Sequence, residues 1–159
     1  MPLQLIIFDL ASTAVQYKNN VRPMPFAERT IRTMRKMGAK VALTTSFTAE
    51  VASDIIDRLD WHDLVDAWLS SDQVEHGRPH PDMVHLLMKK FGITDPANVA
   101  KVGGTPADLQ EGTNAGCGWV IGVTSGSHTK TELMPYPHTH LVDDLWQVVQ
   151  ITVDVFVYA

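Results

Sequence analysis

The chain has 159 residues, 45% of them apolar, with a formal net charge of −5 and a single cysteine, Cys117. That length suits one domain, residues 1–159, with a real core, and the acidic balance leaves no basic footprint for nucleic acid or an anionic membrane surface. A lone cysteine excludes an internal disulfide and fits a reducing compartment; no apolar run approaches the length of a membrane span and the first residues read as a core strand without a basic leader, so no signal peptide and a cytoplasmic location are expected.

Short apolar strands alternate with helical patterns, the signature of an α/β fold with a parallel sheet and helical crossovers. The first strand is predicted over Leu3–Phe8. Asn19–Pro25 reads as a loop, with Pro23 and Pro25 marking a helix start; Phe26, Ile31, Met34 and Met37 then recur at helical spacing until Gly38 stops the helix. Val41–Thr45 is the second strand, and Ala49–Leu59 a helix with Val51, Ile55, Ile56 and Leu59 on one face. Val65–Leu69, Val99–Val102 and Trp119–Val123 are further strands, with a helix over Pro81–Phe91 ended by Gly92 and a short sixth strand at Thr139–Val142. Asp144–Ile151 reads as a helix, whereas Thr152–Tyr158 is β-branched and apolar and fits no single pattern. The sheet expected is therefore of about five strands.

Asp9 is the residue that points to chemistry. It closes the run Leu5-Ile6-Ile7-Phe8 and opens a small polar turn, Leu10-Ala11-Ser12-Thr13. A carboxylate at the end of a buried strand is costly without a task, and in open α/β sheets that end faces the ligand crevice. Three other stretches fall at the same edge: Thr45-Ser46, Gly77–Pro81, and Gly103–Asp108. Together they offer a nucleophilic carboxylate, hydroxyls, a cation in Arg78 and a further acid in Asp108, a set that suits phosphoryl chemistry. Plainer roles exist for each: a turn carboxylate for Asp9, backbone satisfaction for Thr45 and Ser46, a surface ion pair for Arg78, and an N-cap for Asp108.

The four stretches, in this order, resemble the haloacid dehalogenase superfamily, and within it the phosphonatase-like branch. Phe-Asp-Leu-Ala-Ser-Thr at 8–13 is similar to that branch's Asp-x-Ala-Gly-Thr, and Leu43-Thr44-Thr45-Ser46-Phe47 to its Leu-Thr-Thr-Gly-Phe. Gly77-Arg78-Pro79-His80-Pro81 resembles Gly-Arg-Pro-x-Pro, and Val102-Gly103-Gly104-Thr105-Pro106-Ala107-Asp108-Leu109 resembles Val-Gly-Asp-Thr-x-x-Asp-Leu. Asn114-Ala115-Gly116 and Pro137-His138-Thr139-His140 extend the likeness, which runs from about residue 3 to 148. The resemblance implies a three-layer Rossmann-like core with Asp9 as nucleophile and one Mg²⁺ ligand, the backbone carbonyl of Ala11 as a second ligand, and Asp108 beside the metal. It also implies Thr45, Ser46 and neighbouring N–H groups around the phosphoryl group, with Arg78 balancing charge.

Three departures shape the functional expectation. Gly104 stands where the family carries a Mg²⁺-ligating aspartate, so a weakened metal site is expected. Ala11 stands where ordinary superfamily phosphatases carry an acid/base aspartate; phosphonatases share the alanine but use a cap-domain lysine. The stretch between Asp9 and Thr45 has no room for a cap, and Lys18, the only lysine near the first motif, is not assigned the Schiff-base role. Phosphonoacetaldehyde cleavage by that route is not expected. The expectation is a capless, weak or specialised Mg²⁺-dependent phosphohydrolase acting on a phosphorylated substrate or anion, bulky ones included; the alternative is a catalytically impaired phosphate-binding or interaction module. Trp61, Trp68, Trp119, Trp146 and the tail Val153–Tyr158 are candidates for a homo-oligomeric interface where a cap would lie. Cys117 reads as a buried thiol without a base.

Overall fold

Alternation along the strands decides the architecture. In the computed structural model, which describes residues 3–17 and 20–158, Leu5 and Ile7 face one layer while Ile6 and Phe8 face another, and all four are fully buried. A strand buried on both faces reads as a continuous apolar run because helices cover it on each side.

The elements run in the following order: β1 (Leu5–Asp9), a single helical turn α1 (Leu10–Thr13), a hairpin of β2 (Ala14–Tyr17) and β3 (Asn20–Pro23), then α2 (Ala27–Lys36), β4 (Lys40–Thr45), α3 (Ala49–Leu59) and β5 (Ala67–Ser70). They continue with α4 (Asp82–Lys90), β6 (Val99–Gly103), α5 (Pro106–Ala115), β7 (Trp119–Val123), α6 (Lys130–Leu133), β8 (His140–Val142) and α7 (Leu145–Tyr158). Six strands form one parallel sheet in the order β5-β4-β1-β6-β7-β8. The chain turns to β4 on one side of β1 and to β6 on the other, so the switch point lies between β1 and β6. Ligand crevices of open sheets form at such points, beyond the carboxyl ends of the strands.

The larger layer packs Ile31 and Met34 of α2, Ala52, Ile55 and Ile56 of α3, and Leu145, Val148 and Val149 of α7 against Ile6, Phe8, Val41, Leu43 and Val102. Trp146 of α7 lies beneath the Arg29 guanidinium at 4.0 Å, which ties α7 to α2. The smaller layer packs Val84, Leu87 and Met88 of α4 and Ala115 of α5 against Leu5, Ile7, Ala42 and Val99.

The α/β parallel sheet expected from the alternating pattern is present, and the short stretch expected at Thr139–Val142 supplies its sixth strand. Two corrections follow. Asn20–Pro23, read as loop, pairs antiparallel with Ala14–Tyr17; Pro23 sits at the end of a two-stranded ribbon, where its missing N–H costs nothing to a central ladder. The Thr152–Tyr158 segment, which fitted no pattern, continues the helix α7; Thr152 is fully buried there, and its hydroxyl donates back to the Val148 carbonyl at 2.8 Å. Lys18 lies outside the described residues, as do the side chains of Val153–Tyr158. Trp61 is interior, and Trp68, Trp119 and Trp146 are partly buried against the larger layer. No described helix is long and apolar enough to cross a membrane.

Candidate active site

β1 delivers Asp9 to the crevice, and its carboxylate is buried. Its register partner on β4 is Thr44, and Ile7 pairs with Lys101 on β6. Counting by two, Asp9, Thr44 and Lys101 face the smaller layer, the side covered by α4 and α5. The polar site is thus an extension of an apolar layer, in which side chains beyond Leu5, Ile7, Ala42 and Val99 turn ionic.

Arg78 enters from the loop before α4. Its Nη1 donates to Asp108 Oδ1 at 2.7 Å and to Thr105 Oγ1 at 3.2 Å, and its Nε and Nη2 donate to Ser46 Oγ at 3.0 and 2.8 Å. The same Nη1 lies 3.8 Å from Asp9 Oδ1. Burial works against the guanidinium charge, but Asp108 and Asp9 outweigh it and hold the pKa above its ordinary value. Asn114 steadies the loop by donating to the Pro79 carbonyl at 2.8 Å.

Asp108 is fully buried at the start of α5. Thr105 is the N-cap: its hydroxyl accepts from the Asp108 N–H, and Asp108 Oδ2 in turn accepts from the Thr105 N–H at 3.2 Å and hydroxyl at 2.9 Å. The capping role foreseen for Asp108 therefore belongs to Thr105, with Asp108 as its reciprocal partner three residues on. Gly103 makes the contact feasible, since a Cβ there would fall 2.2 Å from Asp108 Cγ.

Two residues that sequence reasoning missed complete the cluster. Lys101 Nζ, fully buried, donates to Thr44 Oγ1 at 2.8 Å and lies 2.7 Å from Glu111 Oε1 and 3.7 Å from Asp108 Oδ1. Burial alone would lower its pKa; Glu111, Asp108 and Asp9 together raise it, so Lys101 is a fixed ammonium. The signal was legible: a lysine inside Val99-Ala100-Lys101-Val102, and a glutamate one turn after Asp108.

Burial, with Asp108 next, pushes the Asp9 carboxyl up to about 7, despite the opposing pull of Lys101 and Arg78. The Ser12 hydroxyl donates to Asp9 Oδ2 at 3.4 Å and accepts from the Gly104 N–H at 2.9 Å, bridging β1 to β6 across the switch point. A Cβ at Gly104 would meet Ser12 Oγ at 3.5 Å and the Val123 carbonyl at 3.3 Å, so a larger residue there would stand against Ser12, the side chain bonded to Asp9. Thr45, buried at the end of β4, accepts from the Phe47 N–H at 3.0 Å, while Ser46 is exposed and bound to Arg78. Ala11 is exposed on the turn after Asp9. Among the described residues no group of three or more His, Cys, Asp or Glu is placed to hold a metal ion.

A model of haloacid dehalogenase-like hydrolases matches residues 3–116. The chain belongs to that family. It is 31% identical over 138 residues to a phosphonoacetaldehyde hydrolase of Bacteroides fragilis, covering 84% of this chain and 52% of that protein. It is 36% identical over 106 residues to one of Latilactobacillus sakei, covering 65% of this chain and 37% of the relative. The chain thus spans about half or less of the curated relatives it matches. A phosphonoacetaldehyde hydrolase-like protein of Oleispira antarctica superposes with a TM-score of 0.83 at 14% identity, over 98% of this chain and 93% of that one. That likeness confirms the Rossmann-like core and its parallel sheet. Elsewhere, Cys117 is half-buried rather than fully enclosed, and burial pushes its thiol up to about 12, which disfavours the thiolate.

Proposed function

We propose that this chain is a capless phosphohydrolase core in which Asp9 is the nucleophile. The observation that carries the reading is the Asp9–Arg78 approach of 3.8 Å at the switch point, with Arg78 itself clamped by Ser46, Thr105 and Asp108. A guanidinium has five N–H donors, and the clamp uses four hydrogen bonds, so Arg78 retains capacity for a phosphoryl oxygen. Thr45 and Ser46 close the anion pocket from β4.

The reaction is written as two displacements. An Asp9 oxygen attacks phosphorus, and the bond from phosphorus to the bridging oxygen breaks, that oxygen leaving with the electron pair. Water then attacks phosphorus, the bond to Asp9 breaks, and the water proton passes to solvent. Arg78, with Lys101 behind it, supplies positive charge against the accumulating oxyanion charge.

The side chains beside Asp9 do not fit a Mg²⁺ cage. A small hard cation is held by carboxylate oxygens in octahedral geometry. Asp108 has its oxygens on Arg78, Thr105 and Lys101, and Gly104 offers only backbone. No step above is therefore routed through a metal. Gly104, with Ser12 bonded to its N–H, also favours a second reading: a phosphate-binding module with little or no turnover.

Hydrolysis of p-nitrophenyl phosphate and acetyl phosphate separates the two. The natural protein, Asp9→Asn and Gly104→Asp are compared with Mg²⁺ and with EDTA. Turnover lost in Asp9→Asn is the expected result; turnover that survives there removes Asp9 from the chemistry. Activity seen only in Gly104→Asp with Mg²⁺ assigns the natural protein to the binding reading.

A further inference from the structure

A cavity of about 470 Å³ opens beside the nucleophile. It is lined by Leu10 and Ala11, the two residues after Asp9, with Ala14, by Met24, Phe47 and Ile55, and by the loop Ser125–Ser127 after β7. The size is that of a small-molecule site. Its position is set by the same strand ends that set the anion site: Phe47 donates its N–H to Thr45, and the β7 loop follows the Val123 carbonyl that faces Gly104.

Its chemistry is one-sided. None of the lining residues carries a charge or titrates near neutrality, and apart from serine hydroxyls the surface is methyl, thioether and aromatic. Such a surface offers nothing to a carboxylate or a second phosphate, and it leaves an anionic substituent desolvated without a partner. Leu10 and Ala11, the two lining residues that follow Asp9, carry no side chain that can give a proton to a departing oxygen.

We propose that this cavity takes the leaving group of the Asp9 reaction. The substrate is then a phosphate of an uncharged apolar body joined through an oxygen that departs as a weakly basic anion without forming a carboxylate: an aryl or enol oxygen. As the Asp9–phosphorus bond forms and the phosphorus–oxygen bond breaks, the electron pair settles on that oxygen and needs no proton within the site. The proposal rests on the phosphohydrolase reading above.

Binding of non-hydrolysable analogues tests it with the protein as it stands. Inorganic phosphate, methylphosphonate and phenylphosphonate are titrated by calorimetry into the natural protein, into Ser127→Trp, which fills the cavity from an exposed position, and into Phe47→Ser, which removes part of its wall. Phenylphosphonate is expected to bind about tenfold or more tighter than methylphosphonate in the natural protein. Both variants should lose most of that preference while keeping their affinity for inorganic phosphate. Equal affinity for the phenyl and methyl compounds, with phosphate still bound, overturns the cavity assignment alone. A phenyl preference untouched by both substitutions places the ring elsewhere and overturns it too. Failure of all three anions to bind overturns the anion-site reading at Asp9 and Arg78, and this proposal with it.

Discussion

Asp9 shows how one carboxylate is held ready at a cost. Its carboxyl is raised to about 7 because burial and Asp108 disfavour the charge more than Arg78 and Lys101 favour it. An aspartate raised in the folded state is protonated in both states at low pH. Between its unfolded value near 4 and about 7 the unfolded chain ionises first, so native stability falls across that window and stays reduced above it. Asp9→Asn removes this penalty. The variant should be more stable than the natural protein at pH 8, by an amount on the order of a few kcal/mol, and should gain little at pH 4. Thermal unfolding at the two pH values measures the difference; an equal gain at both would mean that ionisation of Asp9 is not the source. The position of Asp9 was readable because an acid after four apolar residues breaks the strand pattern. Its electrostatic state was not, since that depends on Asp108, Lys101 and Glu111, which the fold alone brings near it.

At the scale of elements, the site depends on α5 lying close over β6. Gly112 lets it do so, because a Cβ there would fall 2.9 Å from the Lys101 Cβ. The close approach encloses Lys101 with Glu111 and Asp108, both fully buried. Breaking a buried pair leaves an uncompensated charge and costs about 3–5 kcal/mol, whereas replacing both partners with apolar groups is often neutral. Lys101→Met should therefore be strongly destabilised in urea titrations, and Lys101→Met with Glu111→Leu should recover most of the loss. If the double variant is no better than the single, the lysine is needed for Asp108 or Thr44 rather than for Glu111. The hairpin β2-β3 shows the limit of local reading: Pro23 and Pro25 looked like loop punctuation, yet Pro23 tolerates an edge position and the pairing with Ala14 is set by contacts no short pattern encodes. Helix α5 was the converse. Its function-bearing turn was legible from Thr105-Pro106-Ala107-Asp108, and the structure changed only which residue caps and which reciprocates.

Across the whole molecule the two layers divide the labour. The larger layer, built on Ile6, Phe8, α2, α3 and α7, contains no member of the ionic cluster, whereas the smaller layer runs directly into it through Ile7 to Asp9 and Val99 to Lys101. That division follows from the two-residue period of the strands: odd positions of β1 lead to the site, and even positions lead to the main core. Stability and site geometry should then be separable by layer. Ile31, fully buried on α2, faces the larger layer. Ile31→Val removes one methylene there and should cost about 0.5–1.5 kcal/mol, lowering the unfolding midpoint by roughly 2–4 °C per kcal/mol for a chain of this size. Phosphate affinity of the folded protein should stay within twofold of the natural value. Ile7→Val, an equal deletion in the layer that carries Asp9, should lower both stability and affinity, because the strand holding the nucleophile repacks against α4 and α5. Calorimetry of phosphate binding at a temperature where all three proteins are folded makes the comparison. An affinity loss in Ile31→Val as large as that in Ile7→Val would show that the sheet transmits packing changes across its two faces, and that the site is a property of the entire core rather than of one side of it.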